Sequence, residues 1–213
     1  MGDLIRLHNM VPYTKALGPG TRAVLWTQGC GRQCPGCMSP ESRPVDGGRL
    51  VDTDRLAAEL AALDGIEGVT VSGGEPFLQI GPLHALLRAL RGRTGLGVIL
   101  YTGYTVEELR AMDDPRVEEI LSTLADLVID GPYVEALNDG GALKGSSNQR
   151  VHFLTGRYLP YRALYEGARR DVEIRAGRHG MLLIGVPARE TLENWKQIAG
   201  GFAAPGADRP ETT

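Results

Sequence analysis

The sequence predicts an α/β chain whose strands run parallel and curl into a partial barrel of about six βα units, open on one side. Three observations support this. Short apolar runs alternate with amphipathic stretches at intervals of about 25 to 30 residues, the spacing of strands joined by right-handed helical crossovers. Each glycine-rich or polar motif follows directly on one of those runs, at the carboxyl end of a strand, where open sheets and βα barrels gather their sites. The units are too few to close an eightfold barrel.

In order, residues 4–8 alternate loosely and predict a short edge strand that stops before Pro12, which cannot donate to a ladder. After the turn at Gly18, Pro19 and Gly20, residues 21–28, centred on Ala23, Val24, Leu25 and Trp26, predict the first buried strand. Asp52 or Thr53 caps a helix carrying Leu56, Leu60 and Leu63 at helical spacing, stopped by Gly65. Residues 69–72 make the second strand. Leu83, Leu86, Leu87 and Leu90 then line one side of a helix. Residues 97–101 predict a third strand, Thr105 caps a helix over 106–112, and 115–124 continue helically into a fourth strand at 127–130. A long loop over 132–147 precedes a fifth strand at 150–154, a weak helix at 158–169, a sixth strand at 171–175, an apolar run at 181–186 and a closing helix at 191–198. Residues 1–202 read as one domain, and 203–213 as a solvated tail.

A net charge of −3 and a pI near 5.8 argue against a general grip on nucleic acid. No apolar run approaches the length of a membrane span, and the first six residues form neither a signal peptide nor a myristoylation pattern. The expectation is a soluble, cytoplasmic protein without a membrane partner.

All three cysteines, Cys30, Cys34 and Cys37, lie in one loop after the first buried strand, spaced C-x3-C-x2-C among Gly29, Gly31 and Gly36. Three thiolates this close can converge on one metal centre. Iron–sulfur cubanes normally take four cysteines, so one iron would lack a protein ligand and stay open to a small molecule. Zinc would need a fourth ligand, and His8, His84, His152 and His179 all lie far off in sequence. Disulfides fit poorly, since three is odd and clustered thiols in a reduced cytosol read as metal-binding or catalytic.

Ser72, Gly73, Gly74, Glu75 and Pro76 follow the second strand. Two glycines let bare backbone approach a ligand while a carboxylate holds an ammonium group; the alternative is a glycine turn with a proline opening a helix. Asp130, ending the fourth strand, either accepts from a ribose or caps the following turn. Tyr101 and Tyr104 either pack near an adenosine or are plain packing residues.

Seven ordered segments carry a resemblance: Gly18, Pro19, Gly20 and Arg22; Trp26 to Cys30; Cys34 to Cys37; Ser72 to Phe77; Tyr101 to Tyr104; Asp130 to Pro132; and Gly145 to Arg150. Together they resemble the activating proteins of anaerobic ribonucleotide reductase, a branch of the glycyl-radical-enzyme activases in the radical S-adenosylmethionine (SAM) superfamily. Two departures stand out. Met38 and Ser39 replace the family's usual aromatic-like residue and Asn after the third cysteine, and the chain continues for about sixty residues past the last segment, where compact members end.

The resemblance implies a radical SAM partial (βα)6 barrel. It implies Cys30, Cys34 and Cys37 on a [4Fe–4S] cluster with one open iron, Gly36 and Met38 offering backbone to adenine, Gly73, Gly74 and Glu75 at the methionyl end of SAM, and Asp130 at the ribose. No general base or nucleophile is required, because hydrogen-atom transfer needs positioning. The implied activity is generation of a glycyl radical on a partner enzyme, with a flavodoxin- or ferredoxin-type electron donor. A stand-alone enzyme acting on a peptide or small molecule is the alternative, suggested by the extra residues. A non-catalytic iron–sulfur or zinc module is the third reading. No cysteine remains for a second cysteine-bound cluster.

Overall fold

The computed structural model describes residues 2–167, 170–177 and 180–201, the last three of these as backbone only. His179 and the expected tail at 203–213 lie outside the described residues. Seven strands form one sheet: β1 (Leu4–Thr14), β2 (Arg22–Thr27), β3 (Arg49–Asp52), β4 (Gly68–Gly73), β5 (Gly97–Tyr101), β6 (Leu127–Asp130) and β7 (Arg150–Phe153), in the order β3-β1-β2-β4-β5-β6-β7. The centre is parallel, β2 against β4, β4 against β5 and β5 against β6. Both flanks are antiparallel, β1 to β2 and to β3, and β7 to β6. A separate hairpin pairs β8 (Val172–Gly177) with β9 (Gly180–Gly185).

Three expectations need correction. The first strand is eleven residues long and internal, running through Pro12 between β3 and β2. Pro12 is accommodated because the register shifts between Val11 and Thr14, and because β3 pairs only with Leu4 to Leu7, so no ladder bond is asked of the missing N–H. The expected fifth strand returns antiparallel: the connection from β6 holds one short 3-10 turn, Glu135–Leu137, and no crossover helix to carry the chain back to the starting end. The expected sixth strand leaves the sheet and joins the hairpin.

Helices cover one face. Asp52 caps α1 (Thr53–Ala61), accepting from the N–H groups of Asp54 and Arg55 at 3.1 and 2.9 Å. In α2 (Ile80–Arg93), Leu83, Leu86, Leu87 and Leu90 are each at most 1% exposed, and burying a leucine contributes roughly 1.5–3 kcal/mol. Thr105 and Glu108 form a capping box on α3 (Val106–Arg110), and α4 (Pro115–Glu119) runs into one π turn, Ile120–Leu124. Strand alternation divides the core. Ala23, Leu25, Val98, Leu100 and Val128 face these helices, while Val24, Ile99, Leu127 and Ile129 face the other side. That second face is covered by the 3-10 segment Gly156–Tyr165 and by the hairpin, and α5 (Arg189–Gly201) adjoins β9.

At the amino ends of the parallel strands sits Arg22, fully buried. Its guanidinium donates to Thr70 Oγ1 at 2.8 Å, to the carbonyls of Val69 and Gly97 at 3.0 Å each and to that of Pro19 at 3.2 Å. One side chain thus ties together the ends of β2, β4 and β5, which accounts for the arginine after the first glycine turn.

Candidate active site

At the opposite, carboxyl ends, the cysteine loop leaves β2. Backbone bonds from Gly29 N–H to the Ser42 carbonyl and from Cys30 N–H to that of Arg43, 2.8 and 3.0 Å, close the loop on itself. Gln28, buried, reinforces the closure by donating to the carbonyls of Glu41 and Pro44 at 3.1 and 2.7 Å, and its own oxygen lies 2.9 Å from His8 Nδ1. The loop is therefore held at both ends before any ligand arrives.

All three cysteines are free and partly buried, and all line one cavity of about 480 Å³, within the usual range for a small-molecule site. Burial raises the Cys30 and Cys37 thiols above the ordinary cysteine range, and in each case a neighbouring thiol adds to the rise. Among the described residues no three His, Cys, Asp or Glu side chains are gathered as a ready site for a metal ion. The donor set fits an iron–sulfur cluster by its chemistry: three soft thiols on one cavity wall, deprotonated as metal binds.

The Ser72 to Pro76 segment lies against this loop. Gly74 N–H donates to the Thr27 carbonyl and Glu75 N–H to that of Gly29, both at 2.8 Å, so the second motif is strapped to the first. A Cβ on Gly74 would overlap the Gly29 carbonyl oxygen and stand 2.8 Å from that of Ser42; one on Gly73, whose φ is +109°, would overlap Thr27 backbone. The glycines are required by this close approach of two chain segments as well as by any ligand.

Glu75 is 1% exposed and lines the cavity. Oε1 accepts from Phe77 N–H at 3.0 Å and from the Thr102 hydroxyl at 2.8 Å, and Oε2 accepts from Gly103 N–H at 2.8 Å. Burial nonetheless raises its pKa, outweighing these bonds. So Glu75 is first a structural junction between the ends of β4 and β5. Thr102 and Gly103 belong to the Tyr101 to Tyr104 segment of the resemblance, but their pairing with Glu75 had no signal in the sequence. Tyr101 lines the cavity and donates to the Leu143 carbonyl at 3.0 Å, whereas the Tyr104 ring carries the Arg32 guanidinium at 4.4 Å and lies off the cavity wall.

The other expected residues divide. Met38 lines the cavity, while Gly36 does not. Asp130 is fully buried and off the cavity wall. It accepts from Val106 N–H at 2.7 Å and from Arg150, and His152 Nε2 stands 3.1 Å away. Burial pushes its carboxyl up, but these partners outweigh it and hold the pKa below the usual range. The last motif folds its own loop: Gln149 accepts from Gly145 N–H at 2.7 Å and donates to the Gly131 carbonyl at 2.8 Å, knitting it to the turn after β6.

Arg32 was missed, although a cation between two cysteines was a visible signal. It lines the cavity, pairs with Glu108 at 2.7 Å and keeps a buried Nε without a partner. The extra residues past the last shared segment contribute as well: Met181, Leu183, Val186, Leu192 and Trp195 line the same cavity.

Comparison with known proteins places this arrangement. The family described as "4Fe-4S single cluster domain" matches residues 16–152. The chain is 30% identical over 158 residues to the anaerobic ribonucleoside-triphosphate reductase-activating protein of Salmonella typhimurium, covering 70% of this chain and 99% of that one. Against the protein of the same name from Escherichia coli K12 it is 30% identical over 155 residues, 69% of this chain and 97% of that one. A shorter stretch of 93 residues is 37% identical to a pyruvate formate-lyase-activating enzyme of Staphylococcus epidermidis, covering 40% of this chain and 36% of the relative.

Proposed function

We propose, since this chain belongs to the family of 4Fe-4S single-cluster domains and, within it, to the activating proteins of anaerobic ribonucleoside-triphosphate reductases, that it is a radical SAM enzyme that places a glycyl radical on a partner enzyme of that kind. One observation carries the reading: three free thiols share a cavity with a glycine–glutamate loop bonded directly to the cysteine loop. Cys30, Cys34 and Cys37 would hold the [4Fe–4S] cluster, leaving one iron open. When bound, cluster and SAM together supply reductive cleavage and a hydrogen-abstracting carbon radical.

What the chain does is bind, position and exclude water. Gly73 and Gly74, on the cavity wall, would present bare backbone to the methionyl end of SAM. Glu75 anchors that loop to Thr102 and Gly103 and adds negative charge on the side of an ammonium group. Met38, on the cavity wall, would flank the adenine. Asp130 has no place at the ribose in this reading, because it lies off the cavity wall and its oxygens are already engaged with Val106 and Arg150.

The helices on one sheet face and the cavity on the other suit an open partial barrel, and the site draws on β1 through α5, consistent with one domain over 1–202. No helix among the described residues is long and apolar enough to cross a membrane, and a reduced cytoplasm suits three free thiols. A flavodoxin- or ferredoxin-type protein would supply the electron. A stand-alone enzyme for a peptide or small molecule is the second reading, favoured by the cavity wall that residues beyond 152 contribute.

The test is anaerobic. The reconstituted protein receives SAM and a strong reductant, and 5′-deoxyadenosine is followed by chromatography, with and without an anaerobic ribonucleotide reductase. The expected results are deoxyadenosine and a glycyl radical doublet by electron paramagnetic resonance on the reductase. Deoxyadenosine without the doublet would move the assignment to the second reading. Neither product would overturn both.

A further inference from the structure

The cavity has two unlike halves. Around the cysteines it is ionisable, with Arg32, Arg43, Glu41, Glu75 and His8 on its walls. The half contributed by residues 181–195 carries no ionisable side chain: Met181, Leu183, Val186, Leu192 and Trp195 form it, with Leu182, Gly185 and Pro187 between them. This apolar half comes from β9 and α5, beyond residue 152, where the family match ends.

It is a fixed wall. Ile184 is fully buried in one cluster with Val24 and Ile99 of the main sheet. Glu173 on β8 accepts from Lys15 N–H at 2.7 Å, Arg175 donates to the Tyr13 carbonyl, and the Pro187 carbonyl accepts from Asn138 at 3.1 Å. The hairpin is thus bonded to β1 at one end and to the loop after β6 at the other.

We propose that β9 and the start of α5 are the specificity-determining wall of this enzyme, and that they select uncharged residues beside the reacting position of a polypeptide segment. This rests on reading the cavity as the radical SAM site. A wall without a polar partner penalises any charged group pressed against it, which must be desolvated with nothing to replace its water. Leu183 and Trp195, both only partly buried, are the side chains best placed to touch the incoming segment.

The experiment uses the cluster-loaded full chain with SAM, without reductant, and reads binding by anaerobic calorimetry. The probes are a terminally blocked peptide with glycine between valines and its twin with glycine between aspartates. The uncharged peptide is expected to bind about tenfold or more tightly than its twin. Leu183→Lys should erase or reverse that order, a change that general loosening of the fold would not produce. Trp195→Ala should weaken the uncharged peptide severalfold, and serves as the second variant should Leu183→Lys fail to fold. Equal binding of the two peptides, no binding of either, an order unchanged by Leu183→Lys, or, where that variant does not fold, an affinity for the uncharged peptide unchanged by Trp195→Ala would overturn the proposal. Release of 5′-deoxyadenosine by the parent protein with reductant and no peptide separates the cases: with it, the radical SAM reading stands although the wall has been misread; without it, that reading itself fails.

Discussion

Replacing Glu75 by Ala tests whether the carboxylate is a structural junction before it is a ligand. The side chain accepts three hydrogen bonds, and two of their donors, Phe77 N–H and the Thr102 hydroxyl, belong to residues only 2% and 3% exposed. The third, Gly103 N–H, is half-buried at the cavity and can take water instead. A buried donor left without an acceptor costs roughly 1–3 kcal/mol, so two of them cost about 3 kcal/mol, with the removed desolvation penalty of the carboxylate trimming the total. For a chain of this size each kcal/mol lowers Tm by about 2–4 °C, giving a drop of roughly 6–12 °C in the metal-free protein. Glu75→Gln should fall between parent and Ala. Its amide oxygen can still serve Phe77 and Thr102, but its NH2 then faces Gly103 N–H, donor against donor. The assay is thermal unfolding followed by circular dichroism, with urea titration to check that the slope is unchanged. A Glu75→Ala protein within about 1 °C of the parent would refute the junction; weaker SAM binding alone would then be its whole effect.

Other outcomes follow from the same geometry. Cys34→Ala should remove iron and SAM cleavage together, since two thiolates do not hold a cubane; retained iron with full cleavage would sink the cluster assignment. Arg22→Leu leaves the carbonyls of Val69 and Gly97 and the Thr70 hydroxyl without their shared donor and should cost about 3 kcal/mol or more, read as a Tm shift; a neutral result would show that water replaces the guanidinium. Arg150 pairs with both Glu107 and Asp130, holding Glu107 at about 2 and helping to keep Asp130 below the usual carboxylate range. Both pKa values are depressed on folding, so this stabilisation is present above the ordinary carboxylate range and is lost as pH falls through the folded values. Arg150→Ala should therefore destabilise at pH 7, and its deficit in urea midpoint should shrink as pH drops from about 5 to about 2. A deficit constant with pH would mean that the arginine acts by packing alone.

The elements readable in the sequence were those bounded by glycine or caps. β5 and β6 begin and end where the apolar runs do, Asp52 and Thr105 cap as their chemistry requires, and four leucines bury one face of α2. The parallel centre was readable from the helical crossovers between its strands, but the antiparallel flanks were not, because period two is the same in both kinds of pair; β7 needed the observation that no helix precedes it. Pro12 misled because a proline at a register shift looks, in sequence, like a strand end. At the site, the cysteine spacing and the two glycines were legible, but partners brought in by folding were not. Thr102 and Gly103 meet Glu75 across 27 and 28 residues, and nothing in the apolar run at 181–186 says which side faces a cavity. Asp130 shows the converse, a strand-end carboxylate of ligand-binding type whose oxygens are used internally.

The two halves of the cavity differ in how tightly they are tied to the reacting centre. Gly73, Gly74 and Glu75 cannot move without moving the cysteine loop, because Thr27 and Gly29 carbonyls bind them directly and no Cβ fits between. A substitution there would disturb the proposed cluster and SAM contacts at once. Among the described residues the wall from β9 and α5 shares no backbone bond with that loop; it is held instead through β1 and the loop after β6. Its side chains can therefore change size or charge while the thiols and the glycine loop keep their geometry. A fold divided in this way can hold one kind of radical chemistry constant at the strand ends and alter, through the chain beyond residue 152, which hydrogen atom is presented to it.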